Sequence, residues 1–141
     1  MTELDTLLTG EHPPGVYQWP AAPTAAKVRA VVEKAGWRFV EFNTETIVDK
    51  AGLLDAVAAT FGFPAYRGRD FDAFADCLSQ IRHEPGIVVL WEGWAGMAEL
   101  NPQIMRLALD VFSNRAKERS LGAFVVLVAG LGPELDVPML D

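Results

Sequence analysis

The chain has 141 residues, half of them hydrophobic and 22% charged, which is enough apolar material for one domain with a sizeable core and rules out wholesale disorder. Lys plus Arg is 12 and Asp plus Glu is 19, a net charge of −7, which argues against a nucleic-acid binder because such proteins neutralise phosphates with basic side chains. A single Cys excludes an internal disulfide, and with only two His it speaks against a zinc site, so no metal or cofactor is expected.

Residues 1–23 hold four of the nine prolines and read as an irregular arm, of which Tyr17 and Trp19 pack down. Thr24 is a good N-cap for a helix whose Val28, Val31, Val32 and Ala35 recur at helical spacing, with Gly36 as its stop. Trp37–Phe42 is apolar on both faces and predicts a buried strand. Asp49 caps a second helix that turns Leu53, Leu54, Val57, Ala58 and Phe61 inward and stops at Gly62. A loop over 63–69 leads to Asp70, which opens a third helix with Phe71, Phe74, Leu78 and Ile81 as its buried stripe. Pro85-Gly86 breaks the chain before a second doubly apolar strand, Ile87–Trp91. Asn101-Pro102 starts a long helix through Ile104, Leu107, Ala108, Val111 and Phe112. Arg115, Lys117 and Arg119 complement its C-terminal dipole, Gly122 ends it, and Ala123–Val128 is a third strand.

Three buried strands separated by helices predict an α/β domain over 24–130 with a small parallel three-stranded sheet, and 131–141 as a tail. Much of the acidity is terminal: Glu3, Asp5 and Glu11 at one end, Glu134, Asp136 and Asp141 at the other. No apolar run approaches the roughly 18 residues that span a bilayer, and Met-Thr-Glu-Leu-Asp is no signal-peptide start. The expectation is a soluble cytoplasmic protein.

Catalytic signatures are missing: there is no P-loop, GxGxxG, GxSxG or HExxH. His83 near the end of the third helix is explained by its place at a helix terminus, and Cys77 between Asp76 and Leu78 as a structural thiol. Asp72 and Asp76 are the unusual pair. At i and i+4 they share a face opposite the apolar stripe, where like charges destabilise a helix by roughly 0.2–0.5 kcal/mol. A solvated pair, a cation site and an acidic protein-binding face are all compatible with that spacing, although the pair alone makes a poor metal cage.

The run from Pro64 to Leu78, PAYRGRDFDAFADCL, resembles the loop-and-helix signature of the barstar family: a Pro, a Tyr, a Gly, an Asn or Asp, then Asp-Ala, an apolar residue and Asp-Cys-Leu at the same intervals. The likeness extends over about Trp37 to Val128, including Phe61, Trp91, Trp94 and Val111-Phe112. It implies an α/β fold with a small parallel sheet and a cytoplasmic, monomeric, non-enzymatic inhibitor that protects its cell from a ribonuclease or ribonuclease-like toxin. The loop and the acidic helix then plug the nuclease active site in place of RNA phosphates.

Carried over by motif, Asp76 matches the family's central carboxylate, Asp72 the second helix acid, Tyr66 the loop aromatic and Gly68 the glycine that permits close approach. Four positions depart from the founding member. Ala75 replaces a large aromatic, Asn114 falls opposite an acid, and Arg67 and Arg69 stand in place of a Tyr and a Glu. The expected partner-binding set is therefore Tyr66, Arg67, Gly68, Arg69, Asp72, Ala75, Asp76 and Asn114. The departures keep open an alternative, a barstar-fold module that binds an intracellular protein other than a nuclease.

Overall fold

The computed structural model describes residues 2–64 and 70–140. In chain order they form α1 (Thr2–Thr9), β1 (Val16–Trp19), α2 (Ala25–Lys34), β2 (Arg38–Asn43), α3 (Lys50–Phe61), α4 (Phe71–Leu78), β3 (Gly86–Glu92), α5 (Ala95–Leu100), α6 (Pro102–Lys117) and β4 (Ala123–Ala129). The strands pair in parallel in the order β1-β4-β3-β2, so the sheet has four strands and not the three expected.

The fourth strand comes from the segment expected to be irregular. Residues 1–23 contain α1 as well as β1, and β1 lies beside β4 with Val16 opposite Val126 and Trp19 opposite Ala129. Tyr17 and Trp19 are buried because the pairing turns them onto the sheet. The C-terminal segment also packs down. Gln18 is buried, its Nε2 donates to the Pro133 carbonyl at 3.0 Å, and its Oε1 accepts from the Leu135 N–H at 2.9 Å. The backbone of Gln18 bonds to Pro138 and Leu140, which extends the sheet by a single bridge to Met139. A side chain at Gly132 would sit 2.5 Å from the Trp94 ring, so only glycine lets this segment lie so close.

Strand side chains alternate between two cores, which is why the strands read as apolar on both faces. Phe42, Ile87, Val89, Trp91, Phe124, Val126 and Val128 meet α3, α4, α5 and α6 on one face. Trp37, Phe39, Val88, Leu90, Val125 and Leu127 meet α1 and α2 on the other, through Leu4, Leu7, Val28 and Val32. The helix stops follow local chemistry. Gly62 ends α3 at φ 78°, a left-handed conformation that favours glycine, and Asp49 caps its start by accepting from the Gly52 N–H.

Three local expectations are corrected. Thr24 and Asn101 occupy N-cap positions without side-chain capping bonds, and the Asn101 amide instead donates to the Val48 carbonyl at 3.3 Å. The helix α6 ends at Lys117, followed by a 3-10 turn at Arg119–Leu121 before Gly122. Arg115 does not face solvent at a helix end; it is buried.

Candidate functional site

The acidic helix α4 begins where Asp70 accepts the Ala73 N–H at 2.6 Å through its side chain, satisfying one of the orphan donors of the first turn. Phe74 and Leu78 then point into the core, Cys77 is buried at the flank of the helix, and Phe71 is half-buried. The helical period leaves Asp72, Ala75 and Asp76 exposed on the opposite side. Among the described residues neither Asp72 nor Asp76 has a salt-bridge partner. The Ser79 hydroxyl donates to the Asp76 carbonyl at 2.6 Å and helps close the helix. A shallow depression of about 200 Å³ beside this face is lined by Ala73, Asp76, Cys77, Ser79 and Gln80.

The helix is held from α6. The Phe74 ring meets Phe112 edge-on, and Lys50 of α3 lies over the Phe71 ring at 5.7 Å. Arg115 reaches across from α6: its Nε donates to the Leu78 carbonyl at 3.0 Å and its Nη2 to the Ile81 carbonyl at 2.8 Å. Burial lowers the pKa of this guanidinium, and the neighbouring charge of Glu118 works in the opposite direction. Helical spacing places Arg115 on the inward stripe, three residues after Phe112 and seven after Ala108, but not its acceptors, which are backbone atoms more than thirty residues away.

Asp72, Ala75 and Asp76 thus share the exposed side of α4, and Asn114 is exposed on the helix that packs against it. Tyr66, Arg67, Gly68 and Arg69 lie outside the described residues. Cys77 is a buried free thiol that lines the depression beside Asp76. His83 lies in the segment after α4, its Nε2 3.2 Å from the Gly36 carbonyl. Among the described residues no three His, Cys, Asp or Glu side chains are grouped to hold a metal ion, and no helix is long and apolar enough to cross a membrane.

Comparison with curated proteins gives no match. The sequence profile of a family does match, that of Barstar (barnase inhibitor), over residues 37–129. That range spans β2 through β4 and takes in α4, α6 and the acidic face, while α1, β1, α2 and the last residues lie outside it. By this match over most of its length, the chain belongs to the barstar family.

Proposed function

We propose that the chain is a protein inhibitor of a ribonuclease or ribonuclease-like toxin, and that α4 with the loop before it enters the nuclease active site. The observation that carries this reading is the exposed pair Asp72 and Asp76, one turn apart on one side of a helix whose other side is locked into the core. A ribonuclease pocket is cationic because it holds phosphate, so carboxylates on a rigid face can replace the substrate there with charge-assisted hydrogen bonds.

In this reading Asp76 is the central carboxylate and Asp72 supports it. Tyr66 and Gly68 supply loop contact and close approach, Arg67 and Arg69 meet acidic groups of the partner, and Ala75 and Asn114 tune its identity. The role is binding without turnover, by a monomer in the cytoplasm, with no cofactor. Isothermal titration of the intact protein against a panel of extracellular-type ribonucleases, barnase included, tests it together with an RNA-cleavage assay. A stoichiometric complex that stops cleavage is expected with at least one cationic nuclease. Binding that leaves cleavage intact, or no binding across the panel, overturns it. The uncharged exposed residues Ala75 and Asn114 favour, as a second reading, a protein partner that is not a nuclease.

A further inference from the structure

An eight-residue helix such as α4 is too short to be stable alone, so its position depends on what grips it. Its apolar side chains hold it to the core but set no direction, whereas hydrogen bonds do. The last carbonyls of a helix have no partner inside it and carry its negative dipole end. Arg115 of α6 meets that end. It is 5% exposed, its fork spans the Leu78 and Ile81 carbonyls, and a longer contact of 3.4 Å ties in Leu121 before β4. The guanidinium lies 4.8 Å from the centre of the Phe124 ring, and among the described residues no carboxylate pairs with it. Burying this charge is costly; three carbonyls, an aromatic face and the nearby charge of Glu118 offset the cost in part, while Nη1 is buried without a hydrogen-bond partner.

We propose that Arg115 is a positioning residue for the partner-binding face: by pinning the end of α4 to α6 it sets where Asp72 and Asp76 stand relative to Asn114. This rests on the reading of α4 as the binding helix. A planar fork is needed, since a lysine ammonium is a point charge that cannot hold both carbonyls in one geometry.

Cys77 provides the test, because it is the only thiol in the chain and, at 4% exposed, is covered at the floor of the depression beside Asp76. Labelling with a chromogenic disulfide reagent in low urea reads how often α4 moves enough to uncover that sulfur. In Arg115→Met the labelling rate should rise roughly tenfold or more, independently of urea, the mark of local opening. Arg115→Lys should fall between that variant and the parent. Val32→Ala, which weakens the core on the far face of the sheet, should lower the urea midpoint and leave the urea-independent rate unchanged. The proposal is overturned if Cys77 in the Arg115 variants labels only through whole-molecule unfolding. It is equally overturned if neither variant folds, since the residue then serves the entire fold. No nuclease enters this measurement, so local opening without ribonuclease binding would sink the functional reading alone.

Discussion

Phe74 of α4 meets Phe112 of α6 at a ring-centre distance of 5.3 Å with the planes at 87°, the edge-to-face geometry in which a positive ring edge meets a negative ring face. Phe112 also contacts Phe42, Trp91 and Phe124, so it joins the acidic helix to three strands. Phe112→Ala should cost about 3–5 kcal/mol, the range for deleting a buried aromatic. Urea unfolding followed by tryptophan fluorescence measures it, and a loss under about 1 kcal/mol would mean that the core closes over the cavity.

Asp76→Ala separates binding from folding. By the proposed function it leaves cationic groups of the partner unpaired and weakens the complex by about 2–5 kcal/mol. In the free protein it removes an i, i+4 repulsion and should be neutral or stabilising by a few tenths of a kcal/mol. Titration calorimetry and thermal melts on parent and variant check both. Equal affinity, or a large drop in Tm, contradicts the binding role.

Association should respond to salt. The net charge of −7 attracts a basic nuclease at long range, whereas Arg67 and Arg69 reduce the acidity of the loop-helix sequence itself. Stopped-flow on-rates should fall as ionic strength rises to the physiological value. A rate indifferent to salt would exclude a cationic partner.

Partner identity should be set at Ala75 and Asn114. On the proposed function, each of these positions should lack a contact worth on the order of 2 kcal/mol at an interface. Weak or no inhibition of barnase is expected from the parent protein. Ala75→Trp combined with Asn114→Glu should raise it. Stoichiometric inhibition by the unaltered protein at nanomolar concentration would show that these positions do not decide specificity.

Tyr17 introduces a pH dependence. It is buried, its hydroxyl donates to the Pro13 carbonyl at 2.6 Å, and burial raises its pKa above the ordinary 10.0. The folded chain therefore holds the phenolic proton more tightly than the unfolded chain does. The resulting stability is intact below pH 10 and is lost as pH climbs through the raised value. Urea midpoints from about pH 8 to about pH 11 should show a decline that Tyr17→Phe makes shallower, at a cost of about 1 kcal/mol at neutral pH for the lost hydrogen bond. An unchanged slope in the variant would assign the alkaline decline to other groups.

Much of this architecture is legible because its signals are local. Asp49 and Asp70 each stand one residue before a helix and bond three residues ahead, so they mark α3 and α4 within a few positions. The exposed side of α4 follows from its period alone. What escaped depends on distant partners. Val16–Trp19 looks irregular among prolines until β4 is placed beside it, and the tail looks free until Gln18 accounts for its carbonyls and amides. The helix α5 has only six residues and no side-chain cap, and so gives no signal of its own. The pattern for α1 was present, since Leu4, Leu7 and Leu8 recur at helical spacing before Gly10. Arg115 reads as a complement to the helix dipole, although its spacing from Ala108 and Phe112 turns it inward; its acceptors at Leu78 and Ile81 are too distant in sequence to be foreseen.

The place of β1 in the sheet has a consequence in time. Val16 pairs with Val126, which is 126 − 16 = 110 residues further along the chain. At synthesis rates of about 5–20 residues per second, the ribosome needs roughly 6–22 s to make the partner of the first strand. Until then Tyr17 and Trp19 have no sheet to cover them, and the chain has already made α4. The acidic face of α4 is thus written into the nascent protein before its opening strand has anywhere to dock, and Tyr17 and Trp19 stay uncovered apolar surface for that interval.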